Sequence, residues 1–330
     1  MTENKTILLL CGGDSSEHEV SLVSAGYLKA QLTQTRRYSI CMIEIKDGVW
    51  TNEAGDIVYL DTANKTLVGE SQCWSIDFVV PCIHGYPGET GDIQSLLSMS
   101  NIPFLGCGAE ASTNSFNKIT SKLWYDALGV PNTAYVFLTE NNKLAIDKAQ
   151  AAFDKWGTIF VKAACQGSSI GCYKVTEASE VEQAVANAFK YSHQVLVEKA
   201  VKPRELEVAA YEYQGKLVIT LPGEVVAPAD VFYTYEEKYG QDSHSTTEVE
   251  AKNLTQEQID QIRSYSTTVF THMGLRHLSR IDFFLTEDNE IYLNEVNTFP
   301  GMTPISMFPK MVENSGVSFA DFLIDCIERK

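Results

Sequence analysis

The sequence predicts an α/β protein of three lobes, and three observations carry that reading. Short aliphatic runs alternate with helical stretches and glycine turns through the first hundred residues, the pattern of a parallel sheet flanked by helices. A central region reads strand, small-residue loop, strand. The last third holds a strong β-hairpin, 280–297, whose two halves cluster β-branched and aromatic residues around the turn residues Thr286, Glu287, Asp288 and Asn289. The expected bounds are 1–108, 109–200 and 201–330.

The first lobe opens with an apolar strand at 6–11, the turn Gly12-Gly13, and a helix to about residue 32, for which Ser16 and Glu19 read as a capping box. Strands at 38–45 and 77–83 follow, then a glycine loop and a helix at 93–99. No G-x-G-x-x-G follows the first strand and no G-x-x-x-x-G-K-[ST] occurs anywhere, which excludes the usual dinucleotide fold and the P-loop. In the second lobe we expect helices at 117–128 and 146–156, strands at 134–138 and 158–163, the loop 164–171, and strands at 172–175 and 194–199. The third should hold strands at 206–213 and 217–221, a polar stretch at 229–247, a helix at 255–272, the hairpin and a closing helix.

The hairpin is the most informative stretch because it places acids in strands that are otherwise apolar. With an even loop, cross-strand parity puts Arg280, Asp282, Glu295 and Asn297 on one face; an odd loop would split them. Two carboxylates and an amide oxygen suit Mg²⁺, which takes its other ligands from water and substrate phosphates. The plainer reading is a hairpin with one solvated polar face.

Other residues invite a site as well. Lys162 ends an apolar strand before Gly167, Ser168, Ser169 and Gly171, where backbone N–H groups can approach a phosphate, although a snorkelling lysine and an ordinary turn read the same way. The run from His84 to Gly91 has three glycines in eight residues and joins a buried strand to a helix, the place where α/β folds present ligand loops. Glu17 sits on the first glycine loop, either for a ligand or for the helix dipole. Lys238 and Tyr239 lie in a polar stretch without apolar period, suited to a closing loop or a solvated one. The turn after Asn297 offers the Gly301 N–H to an oxyanion.

Composition narrows the function. A net charge of −17 with no basic stripe excludes a nucleic-acid backbone as partner. The longest apolar runs, 7–11 and 78–83, are far too short to span a membrane, and a cytoplasmic location is expected. Eight cysteines are scattered without a C-x-x-C pair and read mostly as reduced core thiols.

His84-Gly85-x-x-Gly88-Glu89-x-Gly91, Lys162 before Gly167-Ser168-Ser169-x-Gly171, Arg280-Ile281-Asp282, and Glu295-Val296-Asn297-Thr298-x-Pro300-Gly301-Met302-Thr303 stand in the order of one family. Together they resemble the D-alanine-D-alanine ligases of the ATP-grasp superfamily over nearly the whole chain. That resemblance implies an ATP-grasp fold, with two lobes gripping ATP beside a substrate-binding first lobe. It implies ATP-dependent joining of two D-alanines through an acyl phosphate, for peptidoglycan precursors, with ATP as substrate, two Mg²⁺ or Mn²⁺, and a homodimer. Asp282, Glu295 and Asn297 would hold the metals. Lys118, Lys162 and Lys238 would bind phosphates, and Glu198, Lys199, Val201 and Glu205 the adenosine. Arg280 and the Gly301 N–H would serve the oxyanion; Glu17 would take the first substrate's ammonium, with His84 beside that substrate, and Ser306 the second substrate's carboxylate. Ser168 and Tyr239 would hydrogen-bond with Glu17, and Tyr239 points to D-alanine as second substrate over D-serine or D-lactate. Thr90, Ala163 and His18 depart from the family's usual Asp, Pro and Arg, and the stretch after Tyr239 lacks its usual Pro-Ala.

Overall fold

The computed structural model describes residues 4–226 and 246–329. Strand β1 (Lys5–Gly12) lies between β2 (Tyr38–Lys46) and β7 (Phe78–Pro81), parallel to both, while β3 (Val49–Asn52) adds an antiparallel edge. Strand β1 is apolar at successive positions because both its faces are covered. Ile7, Leu9 and Cys11 join one core with α1 (His18–Gln34), and Leu8 and Leu10 join another with α2 (Asp92–Met99). A small antiparallel sheet absent from the sequence reading, β4 (Tyr59–Asp61), β5 (Thr66–Val68) and β6 (Cys73–Ser75), adds Leu67 to the second core. Its strands are only three residues long, too short for a period to register.

The expected capping box at Ser16 and Glu19 does not form: α1 starts at His18, with Glu17 at its N-cap position and no side-chain cap bond. Ser15 organises the turn instead. Its hydroxyl donates to His84 O at 2.7 Å and accepts from Glu17 N–H at 3.1 Å, so the first glycine loop is tied to the second.

After α3 (Ala109–Phe116), Asn117 caps α4 (Lys118–Leu128) by accepting from the backbone of Ile119 and Thr120, and Gly129 in the left-handed region ends it. Strands β8 (Tyr135–Leu138), β9 (Ile159–Ala163), β10 (Cys172–Val175) and β11 (Val195–Lys199) form an antiparallel sheet in the order β10-β9-β11-β8. One face packs on α5 (Lys143–Trp156) and α6 (Val181–Ala188) through Val161, Val195 and Val197. Period-two alternation turns Lys162 and Glu198 to the other face. The loop between β9 and β10 is therefore a flap joining antiparallel strands, as the sequence suggests.

The third sheet, antiparallel throughout, has the order β15-β14-β12-β16-β17, with β13 (Lys216–Ile219) also paired to β12. Its strands are β12 (Pro203–Tyr213), β14 (Gly223–Val226), β15 (Thr246–Glu248), β16 (Leu278–Thr286) and β17 (Ile291–Asn297). Helix α7 (Gln256–His272) opens with a real capping box between Thr255 and Gln258. The last helices, α8 (Met307–Asn314) and α9 (Phe319–Glu328), pack on β12, and α9 also on α1, and Phe308, Phe319 and Phe322 share one core with Ile7, Leu28 and Tyr211.

The hairpin corrects the parity argument. Thr286 pairs with Glu290, so the loop between them is odd, and on that register Asp282 would face Asn294. A β-bulge at Asn294 inserts one residue and restores the expected pairs, Asp282 with Glu295 and Arg280 with Asn297. The four residues share a face because of the bulge and despite the loop.

Candidate active site

A cleft of about 510 Å³ opens where the first glycine loops, the flap and the hairpin face meet. It opens onto a smaller cavity of about 110 Å³ beneath the flap, the two sharing Ser168, Glu205 and Glu295 as walls. Lys118, Lys162 and Glu198 line the smaller cavity; Glu17, His84, Arg280 and Ser306 line the larger.

Glu17 is buried, and its Oε1 accepts from Ser168 Oγ at 2.5 Å, so the flap is latched onto the first lobe. Gly167 must be glycine for this: a Cβ there would stand 2.5 Å from Glu17 Oε2. Ser168 and Ser169 both have positive φ, 49° and 62°, and Ile170 N–H closes the turn on Gly167 O at 3.1 Å. A serine in that conformation costs about 1–2 kcal/mol where glycine would cost little, and the hydroxyl on Glu17 is what the strain accompanies.

His84 is buried beside Glu17 but has no ring nitrogen to spare. Its Nδ1 faces Phe299 O at 3.2 Å and must donate, so Nε2 accepts from Ser24 Oγ at 3.0 Å, and Ser24 Oγ accepts in turn from Met302 N–H at 3.3 Å. Burial pushes the His84 pKa down despite the charge of Glu17, which keeps the ring neutral. His84 and Ser24 thus hold the 299–302 turn that presents Gly301. Ser306 is held there too, accepting from Thr303 N–H at 3.1 Å.

Glu89 escaped the sequence reading as a site residue although it lies within the glycine motif. Its Oε2 accepts from Gly85 N–H at 2.8 Å, and burial, with Glu17 nearby, pushes its pKa up to about 8. His18, one of the departures, sits with Nδ1 2.8 Å from Gly13 O and Nε2 3.2 Å from Glu44 Oε1, bracing the first loop from outside.

On the hairpin face, Arg280 binds Asp282 in two parallel bonds, Nε to Oδ1 at 2.8 Å and Nη2 to Oδ2 at 2.7 Å, and Asn297 Nδ2 donates to Asp282 Oδ2 at 3.0 Å. Glu207, paired across from Asp282 on β12, brings Oε1 to 3.4 Å from Arg280 Nε. The sequence reading missed it, because its partner lies 75 residues away and no local pattern marks it. Glu295 accepts from Lys118 Nζ at 3.3 Å, and Lys118 also donates to Gln166 O of the flap at 2.7 Å. Lys118 therefore bridges the hairpin face to the flap.

The donor chemistry of this face fits a hard divalent cation: carboxylate and amide oxygens, each carboxylate now balanced by a protein cation. Among the described residues no cluster of three or more His, Cys, Asp or Glu converges on one point, so such an ion would need further oxygens from a phosphate and water.

Beneath the flap, Glu198 is 2% exposed and its carboxylate is shared by two lysines, with Oε1 2.6 Å from Lys122 Nζ and Oε2 2.6 Å from Lys162 Nζ. Burial opposes its charge, but the two ammonium groups outweigh burial and hold its pKa well below the carboxylate range. Lys199 follows on the exposed side and Val201 is half-buried in the link to β12, where Glu205 lines both cavities. Lys122 was not anticipated. Lys238 and Tyr239 lie outside the described residues.

Comparisons with known proteins agree with this layout. The family model described as the D-ala D-ala ligase N-terminus matches residues 6–107, and that described as the D-ala D-ala ligase C-terminus matches 123–328. The chain is 66% identical to the D-alanine-D-alanine ligase of Vibrio parahaemolyticus, covering 98% of each chain. It superposes on the crystal structure of D-alanyl-alanine synthetase A from Vibrio cholerae with a TM-score of 0.95 at 61% identity, covering 99% of this chain and 98% of that one. It also resembles the VanG D-Ala:D-Ser ligase of Enterococcus faecalis, with a TM-score of 0.87 at 28% identity over 98% of this chain and 99% of that one. With family models over both halves and a relative two-thirds identical along almost its whole length, the chain belongs to the D-alanine-D-alanine ligase family.

Proposed function

We propose that the chain joins two D-alanines at the expense of ATP, through an acyl phosphate, to make D-alanyl-D-alanine for peptidoglycan precursors. The observation that carries it is the meeting, in one cleft, of an ammonium-type site (Glu17 with Ser168), an anion-type site (Ser306 with the Gly301 turn) and the Arg280 face, opening onto a lysine-lined cavity.

In this reading the triphosphate lies under the flap, with Lys118 and Lys162 on its phosphates and Glu198, Lys199, Val201 and Glu205 along the adenosine; Lys238, outside the described residues, is assigned to the phosphates on the family resemblance alone. Asp282, Glu295 and Asn297 hold two Mg²⁺ or Mn²⁺, which when bound neutralise phosphate charge. Glu17 holds the first D-alanine by its ammonium beside His84, so that its carboxylate oxygen meets the γ-phosphorus in line. The new C–O–P bond forms as the bond to ADP breaks. The amine of the second D-alanine, its carboxylate on Ser306, then attacks the carbonyl, and Arg280 with the Gly301 N–H accepts the charge on the oxyanion. Collapse expels phosphate and leaves the peptide. Tyr239, outside the described residues, is assigned to the Ser168–Glu17 pair on the family resemblance alone. His84 acts by position, since both ring nitrogens are engaged. The division at 108 and 200 belongs to the same reading, supported by each large sheet falling between those bounds.

The test is phosphate release from Mg·ATP with D-alanine, D-serine, D-lactate and L-alanine, singly and in pairs, with products weighed by mass spectrometry. D-alanine alone should suffice and give the dipeptide; release only with a mixed pair would reassign the second substrate.

A further inference from the structure

We infer that Lys122 is a positioning residue for nucleotide binding: a permanent counter-charge to Glu198 that allows Lys162 to leave that carboxylate for a phosphate. The inference rests on the proposed nucleotide reading of the cavity beneath the flap. Two lysines share one carboxylate, and they are not equivalent.

Lys122, on the buried face of α4, has a side chain only 3% exposed, and every N–H it carries meets fixed structure. Besides Glu198 Oε1 at 2.6 Å, its Nζ lies 3.2 Å from Asn132 Oδ1, 3.2 Å from Thr133 O and 3.0 Å from Thr133 Oγ1, with the Tyr135 ring 5.2 Å away. Thr133 Oγ1 also donates to Glu198 Oε1, so cation, hydroxyl and carboxylate form a closed cluster. Asn132 is anchored further out by donating to Asp126 Oδ1 at 2.7 Å. Both lysines line the cavity, but the Lys162 side chain is 16% exposed and, among the described residues, makes a single hydrogen bond, to Glu198 Oε2 at 2.6 Å. The Phe160 ring lies 5.5 Å away. Lys122 is therefore fixed and Lys162 releasable.

The electrostatic consequence follows directly. When Lys162 turns to a phosphate, Glu198 keeps Lys122 and the buried pair stays neutral. Without Lys122, the same movement would strand a buried carboxylate, which is strongly unfavourable. Lys162 would then stay on Glu198 and the nucleotide would lose it. Burial pushes the Lys122 pKa down, partly offset by Glu198, whereas for Lys162 burial is opposed by Glu198 together with Cys172 and Glu295, and the net shift is upward.

The test is a double-mutant cycle of Lys122→Met and Glu198→Gln, read by calorimetric titration with the non-hydrolysable analogue adenylyl imidodiphosphate and by steady-state kinetics. Lys122→Met should weaken analogue binding and raise KM for ATP at least ~10-fold, with kcat and KM for D-alanine within ~3-fold of the parent. In the Glu198→Gln background, where no charge needs covering, the same substitution should change analogue affinity less than ~2-fold. A folded Lys122→Met chain with unaltered analogue affinity, or an equal loss in both backgrounds, would overturn the inference. If Lys122→Met alone does not fold, Lys122→Gln, which also removes the charge but keeps a donor for Thr133 and Asn132, takes its place in the cycle under the same criterion. The binding arm stands apart from turnover: a parent chain that binds the analogue but releases no phosphate with D-alanine fails the ligase reading and leaves this one to be judged by affinity.

Discussion

Ser168 shows how one residue ties strain to binding. It holds a left-handed backbone that glycine would adopt more cheaply, and its hydroxyl latches Glu17. Ser168→Ala removes a hydrogen bond to a charged acceptor, worth about 1.5–3 kcal/mol, and should raise KM for the first D-alanine ~10-fold or more. Ser168→Gly should do the same to KM with a smaller fall in melting temperature than Ser168→Ala, because glycine sheds the left-handed strain that alanine keeps; steady-state kinetics and calorimetry on the two variants check it. Glu17, Ser168, Arg280 and Asp282 were legible from sequence because a polar residue in a glycine loop or an apolar strand is locally conspicuous. Lys122, Glu207 and Glu89 were not. Lys122 and Glu207 take their meaning from partners far along the chain, Glu198 and Asp282, and only pairing reveals these; Glu89 bonds locally, to Gly85 N–H, and stands out only through its burial beside Glu17. Ser16 was misread for the opposite reason: a correct local cap pattern lost to Ser15, which had a tertiary partner in His84 O.

At the scale of elements, the hairpin depends on its bulge. Leu293 and Val296 both face the core, and the two residues between them, Asn294 and Glu295, both lie on the cleft side. Deleting Asn294 gives a regular alternation that keeps every apolar partner, so the fold should survive with a shift of a few degrees in Tm. The local bend would be lost and Glu295 re-aimed, so turnover should fall ~10²-fold or more. Circular dichroism melts and phosphate release on the deletion variant check both halves; full activity would remove the bulge from the mechanism. Strand periodicity was legible and loop parity was not, because a bulge leaves no mark on a sequence where polar residues already stand side by side.

Across the whole molecule, the first sheet and the last helices share a core, and the junction is closed by Arg276 and His277. Arg276 Nε donates to Gly106 O at 2.8 Å, and His277 Nδ1 accepts from Gly106 N–H at 3.0 Å, which requires a neutral ring. Burial, with Arg276 and Arg329 nearby, lowers the His277 pKa to about 4 from an ordinary 6.5. The folded chain thus binds this proton more weakly than the unfolded one. The resulting stability is present in full above about pH 6.5 and is lost as pH falls toward 4, up to about 3 kcal/mol. Melting curves between pH 7 and pH 4 should show His277→Asn less acid-sensitive than the parent; parallel losses would refute the assignment. That shared core was invisible in sequence, since the pattern of α9 shows that it is amphipathic and not which sheet it covers.

The most direct test of the ligase chemistry follows the oxygen. With D-alanine labelled by ¹⁸O in its carboxylate, one labelled oxygen should appear in the released phosphate for each dipeptide formed, because the carboxylate oxygen attacks the γ-phosphorus and leaves with it. Glu295→Gln should lose ~10²-fold or more in rate with the fold unchanged. Phosphate free of label from a chain that makes the dipeptide would contradict the acyl phosphate and, with it, the roles given to Arg280 and the metal-type face.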